Sequence, residues 1–101
     1  MNIVRTKIVA TIGPSSSSKS VIEKMIIAGM NVARINMSHY SPDFDIFSIV
    51  DRIRNAAKEQ DKSVAILMDL PGPKIRTNNK DDIVVSRGKE YTLGKDANIP
   101  I

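Results

Sequence analysis

The sequence predicts an α/β fold built on a parallel sheet, and two observations carry this prediction. Short apolar, β-branched segments alternate with longer segments whose apolar residues recur at helical spacing, in the order strand, helix, strand, helix, strand. Polar residues cluster directly after each strand. Since parallel strands end at a common edge of a sheet, where α/β proteins bind ligands, we expect these polar clusters to lie along one rim.

The first strand and the first helix lie in the first third of the chain. Lys7–Ile12 is short and branched and is bounded by Gly13–Pro14, which predicts a buried strand. The serines of Ser15–Ser18 are candidate caps for the helix that follows, and Ser20–Glu23 also fits a capping box. Gly29 lies where this helix is expected to end.

Two further strands flank a second helix. Asn31–Asn36 and Ser63–Asp69 predict the strands, and their nearly continuous apolar character fits a sheet buried on both faces. Ser41–Pro42 is the expected start of the helix, because proline suits the first turn, and the helix is expected to fray by Asp61. The expected apolar stripe of this helix consists of Phe44, Phe47, Val50, Ile53 and Ala57.

The character of the sequence changes after Thr77. Asn78–Asp82 is a polar linker or hairpin turn, and Ile83–Val85 and Glu90–Leu93 predict two strands joined by a glycine turn. This pattern is typical of the start of a small β domain, which the chain leaves unfinished.

Composition excludes several classes of site. The 101 residues are 42% hydrophobic and 26% charged, which suffices for a small domain with a core. The lack of cysteine excludes a disulfide scaffold and a thiolate metal site, and the single histidine, His39, excludes a histidine-rich metal centre. No apolar run reaches the roughly 18 residues of a membrane span, and charges at Arg5 and Lys7 make a poor signal peptide. These features predict a cytoplasmic protein with no membrane partner.

The net charge of +4 raises the question of nucleic-acid binding. Basic and acidic residues are mixed along the chain rather than gathered into a block, and few aromatic residues are available to stack on bases. We therefore expect a solvated surface with modest affinity for anions and no nucleic-acid partner.

Three longer segments carry a family resemblance. They are Thr6–Pro14, Ala28–His39 and Asp69–Thr77. Their residues, order and separations closely resemble the N-terminal part of the pyruvate kinases, and residues 83–93 do so weakly. The resemblance implies a (β/α)8 TIM barrel that is interrupted after its third strand by a small β-barrel lid domain. Residues 1–77 would then form the N-terminal βαβαβ portion of the barrel, and residues 78–101 the first strands of the lid.

The resemblance also implies an activity. Pyruvate kinases act in glycolysis and transfer a phosphoryl group from phosphoenolpyruvate to ADP, with Mg²⁺ and commonly K⁺. In the family, the lysine that stabilises the enolate and the acidic Mg²⁺ ligands lie in later barrel strands, so we expect this chain to be inactive alone. A full-length relative is expected to be a homo-oligomer, a tetramer, and the isolated chain is expected to associate through its open strand edges.

Arg34 is the first candidate site residue. It follows a short strand, and a guanidinium can bind phosphate in a bidentate manner. The resemblance implies that Arg34 contacts the transferred phosphoryl group. The alternative is a structural arginine paired with a carboxylate such as Asp69.

Oxygen-bearing side chains form the second candidate group. The resemblance implies that Asn36, Ser38 and Asp69, with the backbone carbonyl of Leu70, form a monovalent-cation pocket, and oxygen ligands suit such hard cations. The alternative is that Ser38 and Asp69 cap the turns that follow their strands.

The resemblance implies that the nucleotide is contacted by Asn36, His39 and Arg76. His39 has an alternative role as an ordinary hydrogen-bonded loop residue. Tyr40 departs from the family pattern, which usually has glycine there, and its larger side chain is expected to narrow the nucleotide entrance.

The sharpest departure from the family lies at Leu70–Lys74. Members that require K⁺ usually carry Thr-Lys-Gly-Pro-Glu where this chain has Leu-Pro-Gly-Pro-Lys. The ammonium of Lys74 is a compact monovalent cation on a flexible stem and can take the place of K⁺. The combination resembles the branch of the family that works without K⁺. The alternative is that Lys74 points to solvent.

Two other functions stay open from the sequence. The chain can be a non-catalytic, pyruvate-kinase-like module that binds a phosphorylated ligand or a partner, or a non-functional fragment. A reading frame that continues with the lysine-bearing strand and two acidic Mg²⁺ ligands would favour the enzyme.

Overall fold

A computed structural model describes residues 4–39 and 41–101 of the chain. The chain divides into two compact units, one that ends at Pro71 and one that runs from Gly72 to Ile101. The helices and strands, in chain order, are β1 (Ile8–Thr11), α1 (Lys19–Ala28), β2 (Met30–Asn36), α2 (Ile46–Glu59), β3 (Ala65–Asp69), β4 (Leu93–Gly94) and β5 (Ile99–Pro100). Two single-turn 3₁₀ helices, Pro14–Ser16 and Met37–His39, follow β1 and β2.

The first unit contains the predicted parallel sheet. Its strands are ordered β1-β2-β3, with β2 in the centre and both neighbours parallel to it. Helices α1 and α2 form the two crossovers, so the predicted alternation of strands and helices is confirmed. Each strand thereby delivers its carboxyl end to the same edge of the sheet.

The core of this unit lies between the sheet and the two helices. Its largest fully buried side chains are six isoleucines: Ile12, Ile22, Ile26, Ile35, Ile49 and Ile53. The expectation that both faces of the sheet are buried is wrong for the described residues. Val9 of β1 and Leu67 of β3 are about half exposed, because both helices join one core cluster and leave the other face open.

Helix α1 is delimited by a serine and a glycine. The hydroxyl of Ser18 accepts a hydrogen bond from the Val21 amide, so Ser18 is the N-cap, and Ser20 lies inside the helix rather than at a capping box. Gly29 ends the helix with φ of 118° and donates its amide to the Ile26 carbonyl at 3.1 Å. The predicted end at Gly29 is confirmed, since this left-handed conformation favours a residue without Cβ.

Helix α2 begins later than the sequence predicts. It starts at Ile46 rather than at Ser41–Pro42, because the carboxylate of Asp45 accepts a hydrogen bond from the Phe47 amide at 3.1 Å and caps the helix there. The later start also moves the apolar stripe. Phe47 is 84% exposed, so its expected place in the core is wrong. The buried stripe consists of Ile46, Ile49, Ile53, Ala56 and Ala57.

The second unit contains little regular structure. Strands β4 and β5 pair in parallel over two residues each. Within this unit Ile83–Val85 forms no strand and Val84 is 86% exposed, so the strand expected there is wrong. A strand is stabilised by pairing with a neighbour, and this segment has none among the described residues. The expected glycine turn is confirmed by Gly88, which has φ of 83°.

The expected domain boundary after residue 77 refers to the barrel and lid of a larger fold, and it stays a prediction. Among the residues described, no helix combines the length and the apolar character needed to cross a bilayer.

The cap of α2 makes the stability of the first unit depend on pH. The hydroxyl of Ser48 donates to the Asp45 carboxylate at 2.6 Å, and this hydrogen bond lowers the pKa of Asp45 below its ordinary value of 3.8. A lowered pKa in the folded state means that the stabilisation is complete above 3.8 and is lost as the pH falls through the folded-state pKa. We expect Asp45→Ala to lower the melting temperature at neutral pH.

The difference in melting temperature between Asp45→Ala and the unmodified chain should shrink in acid, as followed by circular dichroism. Asp43→Ala, a nearby exposed carboxylate outside the cap, is the matched control and should change little. A difference for Asp45→Ala that stays constant across this range would contradict the capping role.

Candidate functional site

The open face of the sheet carries a row of polar side chains near its carboxyl edge. In the parallel register, Thr11 of β1 lies opposite Arg34 of β2, and Asn36 lies opposite Asp69 of β3. Because side chains alternate between the faces of a strand, these four residues share one face. Of the polar groups expected to meet along one rim, Asn36 and Asp69 do so, and Thr11 and Arg34 join them from within their strands.

Arg34 lies at the centre of this row. Its Nη1 donates to the hydroxyl of Thr11 at 3.0 Å, and its Nη2 forms an ion pair with the Oδ2 of Asp69. The guanidinium thus spans all three strands of the sheet. The Arg34 side chain is 31% exposed and that of Asp69 46%, so the pair remains open to solvent.

The pairing with Asp69 is the structural alternative that the sequence left open for Arg34. It occupies only part of the guanidinium, which has five N–H donors. Two of these donors are engaged, by Thr11 and by Asp69. The arrangement therefore orients Arg34 and leaves donors available for an anion.

Side-chain oxygens of β2 and β3 lie at the same edge of the sheet as this guanidinium. The Oδ1 of Asn36 accepts a hydrogen bond from the Ser38 amide at 3.1 Å and so supports the 3₁₀ turn at Met37–His39. Asn36, rather than Ser38, supplies this cap, and the carboxylate of Asp69 bonds to Arg34. Leu70 follows Asp69 directly and is exposed. The register places Asn36 and Asp69 opposite each other at this edge.

A cavity of about 270 Å³ opens at the carboxyl ends of β1 and β2. It is more enclosed than a wider depression of about 680 Å³ at the opposite end of the strands, which is lined by Lys7, Arg54, Lys58 and Lys62 among others. We assign the candidate site to the smaller cavity, because it adjoins the polar row. Its lining residues are Thr11, Ile12, Gly13, Pro14, Asn36, Ser41 and Phe44.

The structure does not test the roles of the remaining predicted site residues. His39 ends the 3₁₀ turn, but its side chain lies outside what the structure describes, and so does Tyr40. Lys74 and Arg76 are exposed and belong to the second unit. Their predicted roles stay predictions.

Thr11 is the contact that sequence reasoning missed. It was placed in the first strand, but no role was given to its hydroxyl. Alternation along Val9, Ala10, Thr11 and Ile12 puts Thr11 on the face opposite the buried Ile12. That alternation is the signal that could have identified Thr11 as a neighbour of Arg34.

Acidic residues are sparse around the site. Across residues 4–39 and 41–101, no group of three or more His, Cys, Asp or Glu side chains is arranged to hold a metal ion. In the polar row, Asp69 contributes a carboxylate beside the neutral oxygens of Thr11 and Asn36.

Comparisons with known proteins agree on one family. The family model "Pyruvate kinase, barrel domain" matches residues 3–100. The pyruvate kinases of Staphylococcus aureus strains USA300 and NCTC 8325 / PS 47 are each 56% identical over 91 residues, which is 88% of this chain and 15% of the relative. The crystal structure of a pyruvate kinase from Cryptosporidium parvum matches at 42% identity with a TM-score of 0.64, over 71% of this chain and 14% of that one. The chain thus spans about 15% of the length of the curated relatives it matches.

Proposed function

The chain belongs to the pyruvate kinase family, and from this membership we propose that it forms the substrate-phosphate and cation side of a phosphotransferase site. The reaction is transfer of a phosphoryl group from phosphoenolpyruvate to ADP, which gives pyruvate and ATP in glycolysis. One observation carries the proposal: a guanidinium is oriented at the carboxyl edge of a parallel sheet, beside side-chain oxygens.

Arg34 is the proposed ligand of the transferred phosphoryl group. During transfer, the bond from phosphorus to the enol oxygen breaks, a bond to the terminal phosphate oxygen of ADP forms, and the enolate takes up a proton to give pyruvate. Negative charge is carried by the equatorial phosphoryl oxygens throughout this transfer. The N–H groups of Arg34 that are not engaged by Thr11 and Asp69 can bind these oxygens and stabilise the transition state.

Asn36, Ser38, Asp69 and the Leu70 carbonyl are the proposed monovalent-cation ligands. The register that sets Asn36 opposite Asp69 supports this assignment, because it brings an amide and a carboxylate oxygen to one edge. A cation held there supplies positive charge beside the phosphoryl group. Under the same proposal, Mg²⁺ is held by residues outside this chain.

The cavity lined by Thr11, Asn36 and Phe44 supports binding of a ligand beside the polar row. It combines polar groups with an apolar wall, as small-molecule sites do. Asn36, His39 and Arg76 are the proposed contacts of the nucleotide, as the resemblance implies.

The second candidate function is a non-catalytic module that binds a phosphorylated ligand. It is favoured by the same groups, because the first unit offers an arginine suited to phosphate beside side-chain oxygens. The two functions differ in whether phosphoryl transfer occurs once the rest of a family barrel is supplied.

Measurement of phosphoryl transfer distinguishes the enzyme from the non-catalytic binding module. The purified 101-residue chain should transfer no phosphoryl group from phosphoenolpyruvate to ADP, because the resemblance implies that the enolate-stabilising lysine and the Mg²⁺ ligands lie in later strands of the family barrel. A chimera in which this chain replaces the matching segment of the Staphylococcus aureus pyruvate kinase should be active in an assay coupled to pyruvate reduction. Transfer that copurifies with the 101-residue chain would contradict the first expectation. A folded, correctly assembled but inactive chimera would favour the binding module.

Arg34→Ala tests the phosphate role in the active chimera. Loss of one charge-assisted contact to the transferred group is expected to cost on the order of 2–4 kcal/mol of transition-state stabilisation, or roughly 30- to 1000-fold in kcat/KM. Arg54→Ala is the matched control, because Arg54 lines the depression at the opposite end of the strands. Equal losses in the two variants would contradict a specific role for Arg34.

Substitution of Lys74 tests whether activity requires K⁺. If its ammonium replaces K⁺, the chimera should be nearly as active in Na⁺ or in a bulky organic cation as in K⁺. Lys74→Glu should restore part of the K⁺ dependence, with Leu70 and Pro71 limiting the rescue. Lys80→Glu makes the same charge change at another exposed position of the second unit and should restore none. An unmodified chimera whose rate collapses without K⁺ would overturn the assignment.

A further inference from the structure

We propose that Thr11 is a positioning residue for Arg34, and that its hydroxyl fixes the orientation in which the guanidinium meets a phosphoryl group. The inference rests on the proposed function of Arg34. It adds a residue from β1, a strand to which neither the sequence nor the family resemblance assigned any site residue.

Two hydrogen bonds connect the end of β1 to Arg34. The Thr11 hydroxyl accepts from Nη1 of Arg34 at 3.0 Å, and the amide of Ile12 donates to the Arg34 carbonyl at 2.9 Å. Ile12 itself is fully buried in the core. The hydroxyl is therefore held at a fixed place relative to both the backbone and the side chain of Arg34.

The contact from Thr11 completes a clamp that Asp69 alone does not provide. Asp69 binds Nη2 from the β3 side, and Thr11 binds Nη1 from the β1 side. With both terminal nitrogens held, the plane of the guanidinium is defined, and less side-chain entropy is lost when an anion binds. The Asp69 carboxylate is also a proposed cation ligand, so Thr11 is the partner that is not shared with the cation.

A hydroxyl is suited to this role for reasons of charge and stiffness. It accepts a hydrogen bond without neutralising the guanidinium, whereas a second carboxylate at this position would compete with the substrate phosphate for Arg34. Threonine is β-branched and restricted about χ1, so its hydroxyl direction is better defined than that of serine. We therefore expect serine to replace Thr11 in part and valine, which has the same shape without the hydroxyl, to fail.

The test uses Thr11→Val and Thr11→Ser in the active chimera, with Thr6→Val as the matched control at an exposed position before β1. We expect Thr11→Val to lower kcat/KM for phosphoenolpyruvate by about tenfold or more, because a hydrogen bond to a charged group contributes stabilisation of that size. The KM for ADP should be unchanged, Thr11→Ser should retain most of the activity, and Thr6→Val should match the unmodified chimera. Equal losses for both substrates would indicate a merely structural role and overturn the inference.

A double-mutant cycle with Arg34→Lys tests whether Thr11 acts through Arg34. If it does, Thr11→Val should change kcat/KM little once Arg34 is lysine, so the two effects should be far from additive. Additive effects would overturn the inference. If Arg34→Lys alone leaves the KM for phosphoenolpyruvate and kcat unchanged, the proposed phosphate role of Arg34 fails instead.

A measurement that does not depend on catalysis distinguishes failure of the positioning role of Thr11 from failure of the phosphate role of Arg34. In the 101-residue chain, ¹⁵N NMR of the Arg34 side chain should show slow rotation of the guanidinium, and Thr11→Val should accelerate this rotation. Unchanged signals in Thr11→Val would overturn the positioning role, whatever the kinetics of Arg34 variants show.

Discussion

The candidate site depends on the pairing register of β2 with its two neighbours. This register sets Thr11 opposite Arg34 and Asp69 opposite Asn36 on one face of the sheet. It is fixed from the other face, where Ala33 and Ile35 on either side of Arg34 are fully buried. A slip of one residue would turn these apolar side chains to solvent and move the guanidinium into the core. The packing of the first unit and the geometry of its polar row therefore have one physical origin.

The two faces of the sheet serve different purposes. One face packs against α1 and α2 and supplies the stability of the unit, since its isoleucines are fully buried. The open face carries Val9 and Leu67 beside the polar row, both about half exposed.

Much of this arrangement follows from the sequence, because hydrophobic periodicity and glycine chemistry act locally. The strand–helix alternation, the end of α1 at Gly29 and the gathering of polar groups at one edge were all predictable. The start of α2 was not, because Asp45 and Ser41–Pro42 are both plausible helix starts and tertiary packing decides between them. Ile83–Val85 has the residues of a strand but no partner among the described residues. The contact of the Thr11 hydroxyl with Arg34 could be recognised only once the register of the strands was known.

The central claim is that the guanidinium of Arg34, held between β1 and β3, receives the substrate phosphate. A crystal structure of the active chimera with a non-reactive phosphoenolpyruvate analogue tests this claim most directly. We expect phosphoryl oxygens within hydrogen-bond distance of Arg34 while its contact with the Thr11 hydroxyl is kept. An analogue whose phosphoryl group binds elsewhere, with Arg34 still engaged only by Thr11 and Asp69, would contradict the account.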